Sequence, residues 1–354
     1  LKDLDEFDLI FRSPGVKIND LRLKIKDDSR ITSQTKIFMD LCPSPVIGVT
    51  GTKGKGTTSS LIYEMLKADG RDAYLGGNIG IPPLDFLEKL TPNSWVVLEM
   101  SSFQLADLEK SPHIAVMLMV TSEHMDYHKD HNEYIDAKRN ILSHQTDNDF
   151  AIVNRDYPPS NESDILTNGK VYYVSREREV EEGCFALGNQ VILRTNGNSI
   201  PIIDTRELLL RGDHNQENVC AAAIAAYLAG VRAGTIIKTL QSFKGLEHRI
   251  ELVSRINGVE YYNDSFSTTP ETAIAAIKSF QNPEILILGG SSKNSEFKEL
   301  GRVVRERKNI KAIIGIGVEW ARIKAEIGDL PNVHIVEGAA TMEEIVNSAK
   351  ATGE

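Results

Sequence analysis

Gly51-Thr52-Lys53-Gly54-Lys55-Gly56-Thr57 sets lysines among glycines and closes on hydroxyl residues, a combination suited to holding a polyphosphate. Glycines let successive backbone N–H groups turn toward one anion, and a helix N-terminus adds partial positive charge. Lys55 would supply formal charge for the outer phosphates, and a hydroxyl from Thr57 or Thr58 would ligand magnesium. The strict pattern GxxxxGK[ST] is not met, because Val49 stands at the first glycine position and Gly56 follows the lysine. The competing reading, a turn that merely caps a helix, has no use for two lysines.

The elements around this loop fit a phosphate site. The β-branched run 46–50 precedes it and residues 61–66 read as a helix, giving strand, glycine turn and helix. Runs 94–99 and 114–120 are continuously apolar, as buried parallel strands are. Both end in polar clusters, Glu99-Met100-Ser101-Ser102-Phe103-Gln104 and Thr121-Ser122-Glu123-His124-Met125-Asp126. In an open α/β sheet ligands bind beyond the carboxyl ends of strands, so the ends at Thr50, Glu99 and Val120 should share one crevice.

The 354 residues allow two or three domains, and 41% hydrophobic with 25% charged residues is ordinary for a globular chain. A formal net charge of −10 argues against general nucleic-acid or membrane-surface binding. Cys42, Cys184 and Cys220 form no CxxC pair and read as free thiols of a cytoplasmic protein. No apolar run is long enough to cross a bilayer, and no basic-then-apolar leader opens the chain. The chain starts at Leu1, and residues 7–15 look like the last strand of a sheet, so the start of a domain is expected upstream. Residues 19–33 read as a hinge with some helix.

Farther along, residues 134–142 read as a helix carrying Lys138, and the region 150–210 as short strands, at 151–153, 171–174 and 191–193, separated by Gly/Asn turns. Gly212-Asp213-His214-Asn215-Gln216-Glu217-Asn218 opens an alanine-rich helix. Asn257-Gly258 signals a hairpin, and Thr268 with Glu271 a capping box for a helix over 268–280. Strands at 285–288, 312–316 and 333–336 alternate with helices, which suggests a second doubly wound sheet.

The ordered set of Thr50-Gly51-Thr52-Lys53-Gly54-Lys55, Gly77-Asn78-Ile79-Gly80, Glu99-Met100-Ser101-Ser102-Phe103-Gln104-Leu105, Glu123-His124-Met125-Asp126, Ala137-Lys138, His214-Asn215-Gln216-Glu217-Asn218, Glu247-His248-Arg249-Ile250-Glu251 and Asn263-Asp264-Ser265 resembles the Mur ligase family, nearest its D-glutamate-adding branch. Each stretch alone is weak; in family order over nearly the whole chain they are specific. The resemblance implies an α/β fold with a central P-loop ATPase domain on a mainly parallel sheet, followed by a smaller Rossmann-like α/β domain. Residues 1–34 would be a remnant of the uridine-nucleotide domain and hinge, 35–245 the ATP-binding domain, and 246–354 a ligase domain lacking its end. The implied chemistry is ATP-dependent amide formation through an acyl phosphate, with UDP-N-acetylmuramoyl-L-alanine and D-glutamate as small-molecule substrates. A monomer acting in the cytoplasm on peptidoglycan precursors is expected.

The resemblance also assigns residues. Gly51, Thr52, Lys53, Gly54, Lys55, Gly56 and Thr57 would hold ATP phosphates. One magnesium ion would use Thr57 and Glu99, and a second His124 and a carbamate formed on Lys138. From sequence alone, Lys138 reads equally as an exposed helical lysine. Lys55, Lys138 and His124 would carry the catalysis. A zinc site of His124, His128 and His131 is the rival; lacking cysteines and alternating with Asp and Lys, that stretch reads as solvated, with His128 and His131 at the surface. Asn78, Ser101 and Gln104 would meet the nucleotide-sugar substrate or serve as cap and turn residues. Asn215 and Asn218 would contact adenine or cap a helix, Arg249 and Asp264 would reach the nucleotide, and Lys293 would take a D-glutamate carboxylate or stay solvated. Gly56 also occurs in the related folylpolyglutamate synthases, one alternative; a non-catalytic nucleotide-binding protein is another. Phe266 stands where the family's D-glutamate branch more often has a lysine.

Overall fold

The computed structural model describes residues 4–23, 25–121, 128–291 and 295–353. The chain divides into two compact units, Leu1–Leu209 with His214–Phe243, and Leu210–Asp213 with Lys244–Glu354.

In the first unit, β1 (Ile10–Arg12) pairs in parallel with β2 (Ile31–Ser33), with the short α1 (Ile18–Arg22) between them. The segment 19–33 therefore contributes a strand as well as helix. Arg12 fastens this piece. Its buried guanidinium makes a two-point ion pair with Asp107, at 3.0 and 2.7 Å, and also donates to Phe103 O and Val16 O. Ser33 then caps α2 (Gln34–Leu41), accepting from Lys36 N–H.

The rest of this unit is built on nine strands. They are β3 (Val46–Thr50), β4 (Ala73–Gly77), β5 (Trp95–Glu99), β6 (Ile114–Met117), β7 (Phe150–Asn154), β8 (Lys170–Ser175), β9 (Gly183–Leu187), β10 (Gln190–Thr195) and β11 (Asn198–Asp204). Their spatial order is β11-β10-β9-β8-β7-β6-β3-β5-β4, parallel from β4 across to β9, with β10 antiparallel to both its neighbours. Both faces of the central strands are covered, which is why they read as unbroken apolar runs. Toward one face, Val96, Leu98, Ala115, Met117, Ala151 and Val153 pack with Phe38 and Met39 of α2 and with Tyr134 and Ile135 of α5 (His131–Arg139). On the sheet also lie α3 (Lys55–Ala68), against β3, β4 and β5, and α7 (His214–Leu228), against β6 to β10. The short α4 (Ser102–Leu105) and α6 (Pro158–Asn161) lie in the connections, and α8 (Ala233–Ser242) packs on α3 and β11. From Val219 to Ala226 every residue of α7 is buried, and the small alanine side chains let it lie close to the sheet and to α3.

Several expected boundaries moved. The run 114–120 leaves the sheet at Met117; Leu118 N–H then donates to Thr50 O, and Met119 O accepts from Thr52 N–H, so these residues line the glycine loop instead. Helix α5 starts at His131, three residues early, because Asp130 caps it by accepting from Glu133 N–H. Strands β9 and β11 were not anticipated. The ladder between β10 and β11 breaks register after Val191, where Pro201 enters it, and an edge strand tolerates both the proline and the bulge.

The second unit opens with the hairpin β12 (Glu251–Ile256) and β13 (Val259–Asn263). Asn257 (φ 51°) and Gly258 (φ 82°) both take positive φ, as the expected tight turn requires. Helix α9 (Pro270–Lys278) is capped by Thr269 with Thr272, not by Thr268 with Glu271, because Pro270 fits the first helical position. A parallel sheet of β14 (Glu284–Gly289), β15 (Ile310–Ile316) and β16 (His334–Val336) follows chain order, so its described strands contain no switch point. Its core joins Leu300, Val303 and Val304 of α10 (Lys298–Glu306) to Trp320, Ile323 and Ile327 of α11 (Trp320–Ile327), and α12 (Met342–Gly353) packs on β14 and β15.

Candidate functional site

Strand β3 lies between β5 and β6, so the ends of three parallel strands come together as their sequence suggests. Thr50 pairs with Met117 and Val49 with Glu99, which brings Glu99 level with the end of β3, where the glycine loop begins. Gly54 ends that loop at φ 87° and α3 begins at Lys55. A Cβ on Gly54 would sit 2.2 Å from Asn218 Oδ1, so only glycine lets α7 approach this closely.

Lys55 folds back over its own loop, Nζ donating to Gly51 O at 3.0 Å and Thr52 O at 3.1 Å. Lys138 reaches the same oxygen from α5, Nζ to Gly51 O at 2.9 Å, with its ammonium 4.7 Å from the centre of the Tyr134 ring. It is 2% exposed, which rules out the solvated helical lysine. Two ammonium groups meeting on one carbonyl repel each other, and an anion placed between them, or the loss of one positive charge, relieves that repulsion. Thr52 Oγ1 contacts Tyr134 Oη at 3.0 Å and accepts from Thr121 N–H at 2.9 Å, joining the loop to α5 and to the end of the β6 segment.

The oxygen donors expected to hold magnesium are partly open. Glu99 is buried, one carboxylate oxygen accepting from Asn78 Nδ2 at 2.8 Å; among the described residues the other oxygen has no hydrogen-bond partner. The Thr57 hydroxyl likewise has none among them. A carboxylate oxygen and a hydroxyl left open on two largely buried residues are hard donors that fit a divalent cation. His124 and Lys293 lie outside the described residues. Among the described residues no three His, Cys, Asp or Glu side chains gather in a way that could hold a metal, which gives the zinc alternative no support there.

The remaining expected residues divide. Asn215 and Asn218 are buried at the start of α7; Asn218 donates to Asn215 Oδ1 and accepts from the Thr58 hydroxyl, tying α7 to α3. Asn78 is exposed on the Glu99 side. Ser101 and Gln104 spend polar atoms on each other in a capping box at the start of α4. Lys53 and Gly56 take their places in the loop and the first turn of α3. Arg249 and Asp264 belong to the second unit. There Asp264 accepts from Ile250 N–H at 3.0 Å, and burial pushes its carboxyl up.

His128 overturns its surface reading. It is 3% exposed, contacts Ser102 Oγ at 3.0 Å, lies parallel to Phe103 and meets Tyr134 edge-on. Nothing in a run of charged residues signals that burial. Sequence reasoning also passed over Tyr134, although it lies four residues before Lys138, on the same helix face. It missed Glu217 too, whose buried carboxylate accepts from Asn154 and Tyr157 and pairs with Arg176, fixing the start of α7 over the ends of β7 and β8. Burial pushes that carboxyl up, against the pull of Arg176.

Residues 49–226 match the Mur ligase middle domain, and residues 248–353 the Mur ligase glutamate ligase domain. The UDP-N-acetylmuramoylalanine--D-glutamate ligase of Ruminiclostridium cellulolyticum is 36% identical over 362 residues, covering 100% of this chain and 77% of its own length. The enzyme of that name from Acetivibrio thermocellus is 38% identical over 331 residues, covering 93% and 70%. Among solved structures, MurF from Acinetobacter baumannii superposes with a TM-score of 0.68 at 19% identity, over 90% of this chain and 73% of its own. The MurF ligase of Thermotoga maritima in complex with ADP gives 0.61 at 19%, over 91% and 86%. At that identity the likeness is one of fold.

Proposed function

This chain belongs to the Mur ligase family, and from that premise we infer that it joins D-glutamate to UDP-N-acetylmuramoyl-L-alanine at the expense of ATP. The observation that carries this reading is the Gly51 carbonyl shared by Lys55 and Lys138 beside the N-terminus of α3. The Lys55 ammonium and the positive end of α3 favour the β- and γ-phosphates of ATP there.

A carboxylate is a poor acyl donor because oxide is a poor leaving group. Phosphoryl transfer mends this: a carboxylate oxygen of the alanyl substrate attacks the γ-phosphorus and ADP leaves. The D-glutamate nitrogen then attacks the acyl carbon, loses a proton and expels phosphate. The protein's task in the first step is alignment and charge neutralisation. Lys55 and the loop amides hold the outer phosphates, and Asn215 and Asn218 stand at the buried start of α7 for the adenine side. Arg249 offers a further cation to the nucleotide and Lys293 one to D-glutamate. Asn78, Ser101 and Gln104 border the place of the nucleotide-sugar substrate.

Thr57 and Glu99 would hold one magnesium ion and His124 and Lys138 a second; magnesium would neutralise charge on the phosphate oxygens. Lys138 would serve as a carbamate: its neutral Nζ attacks carbon dioxide, an N–C bond forms and a proton leaves. That exchange removes the clash with Lys55 and creates a hard oxygen donor. Carbon-13 bicarbonate should give a carbamate resonance that Lys138→Met abolishes; its absence from the native protein removes the carbamate from the scheme.

The decisive test supplies ATP with UDP-N-acetylmuramoyl-L-alanine and D-glutamate, or with a folate and L-glutamate, and follows phosphate. Release with the muramoyl substrate alone is expected. Release only with folate would establish the folylpolyglutamate-type reading that Gly56 favours, and ATP binding without release in either mixture would establish a non-catalytic nucleotide binder.

A further inference from the structure

Within the second unit, residues 247–250 and 263–267 fold against one another. Phe266 N–H donates to His248 O at 3.0 Å, Asn263 Nδ2 contacts His248 Nδ1 at 2.7 Å, and Ile250 N–H donates to Asp264 Oδ1 at 3.0 Å. His248 (φ 64°) and Ile250 (φ 46°) take the left-handed conformation on either side of Arg249. For a β-branched residue that conformation is a strained outlier, and such strain persists only where surrounding bonds over-determine it. Its product is the placing of one side chain: the guanidinium of Arg249 lies over the Phe266 ring, 4.6 Å from its centre.

Neither group has another evident use. Phe266 is 57% exposed, so its ring is no part of a core. Among the described residues the Arg249 guanidinium makes no hydrogen bond or ion pair, only the backbone N–H donating to Leu246 O at 3.2 Å, so its side-chain donors stay available. An arginine held flat on an aromatic face loses rotamer freedom before its anion arrives and keeps its planar fork clear for two oxygens of one phosphate.

We propose that Phe266 is a positioning residue, an aromatic platform that holds the Arg249 guanidinium ready for a phosphate group of the nucleotide. The proposal rests on the nucleotide role given to Arg249 above. Phosphate release by the full chain, with ATP varied at saturating co-substrates, separates the two. Arg249→Ala should raise the KM for ATP; an unchanged KM removes the nucleotide role itself. Where Arg249→Ala does raise it, Phe266→Leu, which keeps apolar bulk but has no π face, should raise the KM for ATP about two- to five-fold, leaving kcat and melting temperature unchanged. Phe266→Tyr should restore the native value. In the Arg249→Ala background Phe266→Leu should add nothing. A native KM in Phe266→Leu, equal losses in the Leu and Tyr variants, additive losses in the double variant, or a change confined to the KM for D-glutamate would each overturn the platform.

Discussion

The two units present cations by opposite means. In the first, Lys55 and Lys138 bond to the loop carbonyl they surround, and Lys138 is buried. In the second, Arg249 stands exposed on an exposed ring, at a strained turn. A buried site is fixed by the fold itself, and disturbing it disturbs the unit around it. An exposed one is fixed by a few local bonds and can be altered at little cost to stability.

The largest expected effect tests that contrast directly. Lys55→Ala should lower phosphate release by about 10²–10³-fold, the scale of losing one preorganised charge-stabilising group, and by more than Arg249→Ala does; the reverse ranking breaks the comparison. Gly54→Ala comes next, since its new Cβ would meet Asn218 Oδ1 at 2.2 Å on a backbone of φ 87°. It should destabilise the first unit by about 2–3 kcal/mol in a denaturant titration. Gly258→Ala in the second unit has positive φ but nothing within 4 Å, so it should cost clearly less; equal losses would erase the difference.

The third effect is a matter of pH. Glu284 begins β14 with one buried carboxylate oxygen lacking a partner, and burial pushes its carboxyl up to about 7 against the pull of Arg307. Since an unfolded glutamate titrates near 4.5, the second unit is at full strength below that pH and weakens as pH rises through about 7. Glu284→Gln should therefore stabilise this unit at pH 8, by about 2 kcal/mol once screening is allowed for, and leave it unchanged at pH 4. Equal gains at both would show that charge is not the cause. Smallest is Tyr134→Phe, which removes one hydroxyl contact to Thr52 and should cost the first unit about 1 kcal/mol; no change in its melting would mean that the contact is optional.

How far each site was legible follows from the same contrast. The strand, glycine turn and helix around Gly54 could be read because a β-branched run, glycines and a helix-forming run follow one another along the chain. The meeting of strand ends could be read because apolar runs terminate in polar clusters. Lys138 could not be placed, because a lysine on a polar helix looks the same whether it faces water or Gly51 O. His128 was misread for a similar reason: its burial depends on Phe103 and Tyr134, which come from other elements. Strand β11 escaped notice because proline inside a run argues against a strand unless that strand is an edge. The pairing of Arg249 with Phe266 was invisible, since it depends on backbone angles at His248 and Ile250 that those residue types do not favour.

Arg12 carries a mechanical meaning. To swing the strip formed by β1 and β2 off the first unit would uncover a sheltered Asp107, and leaving one such charge bare costs about 3–5 kcal/mol. The strip is thus riveted rather than hinged, and the bend at Ser13-Pro14-Gly15 rides on the same frame as the glycine loop.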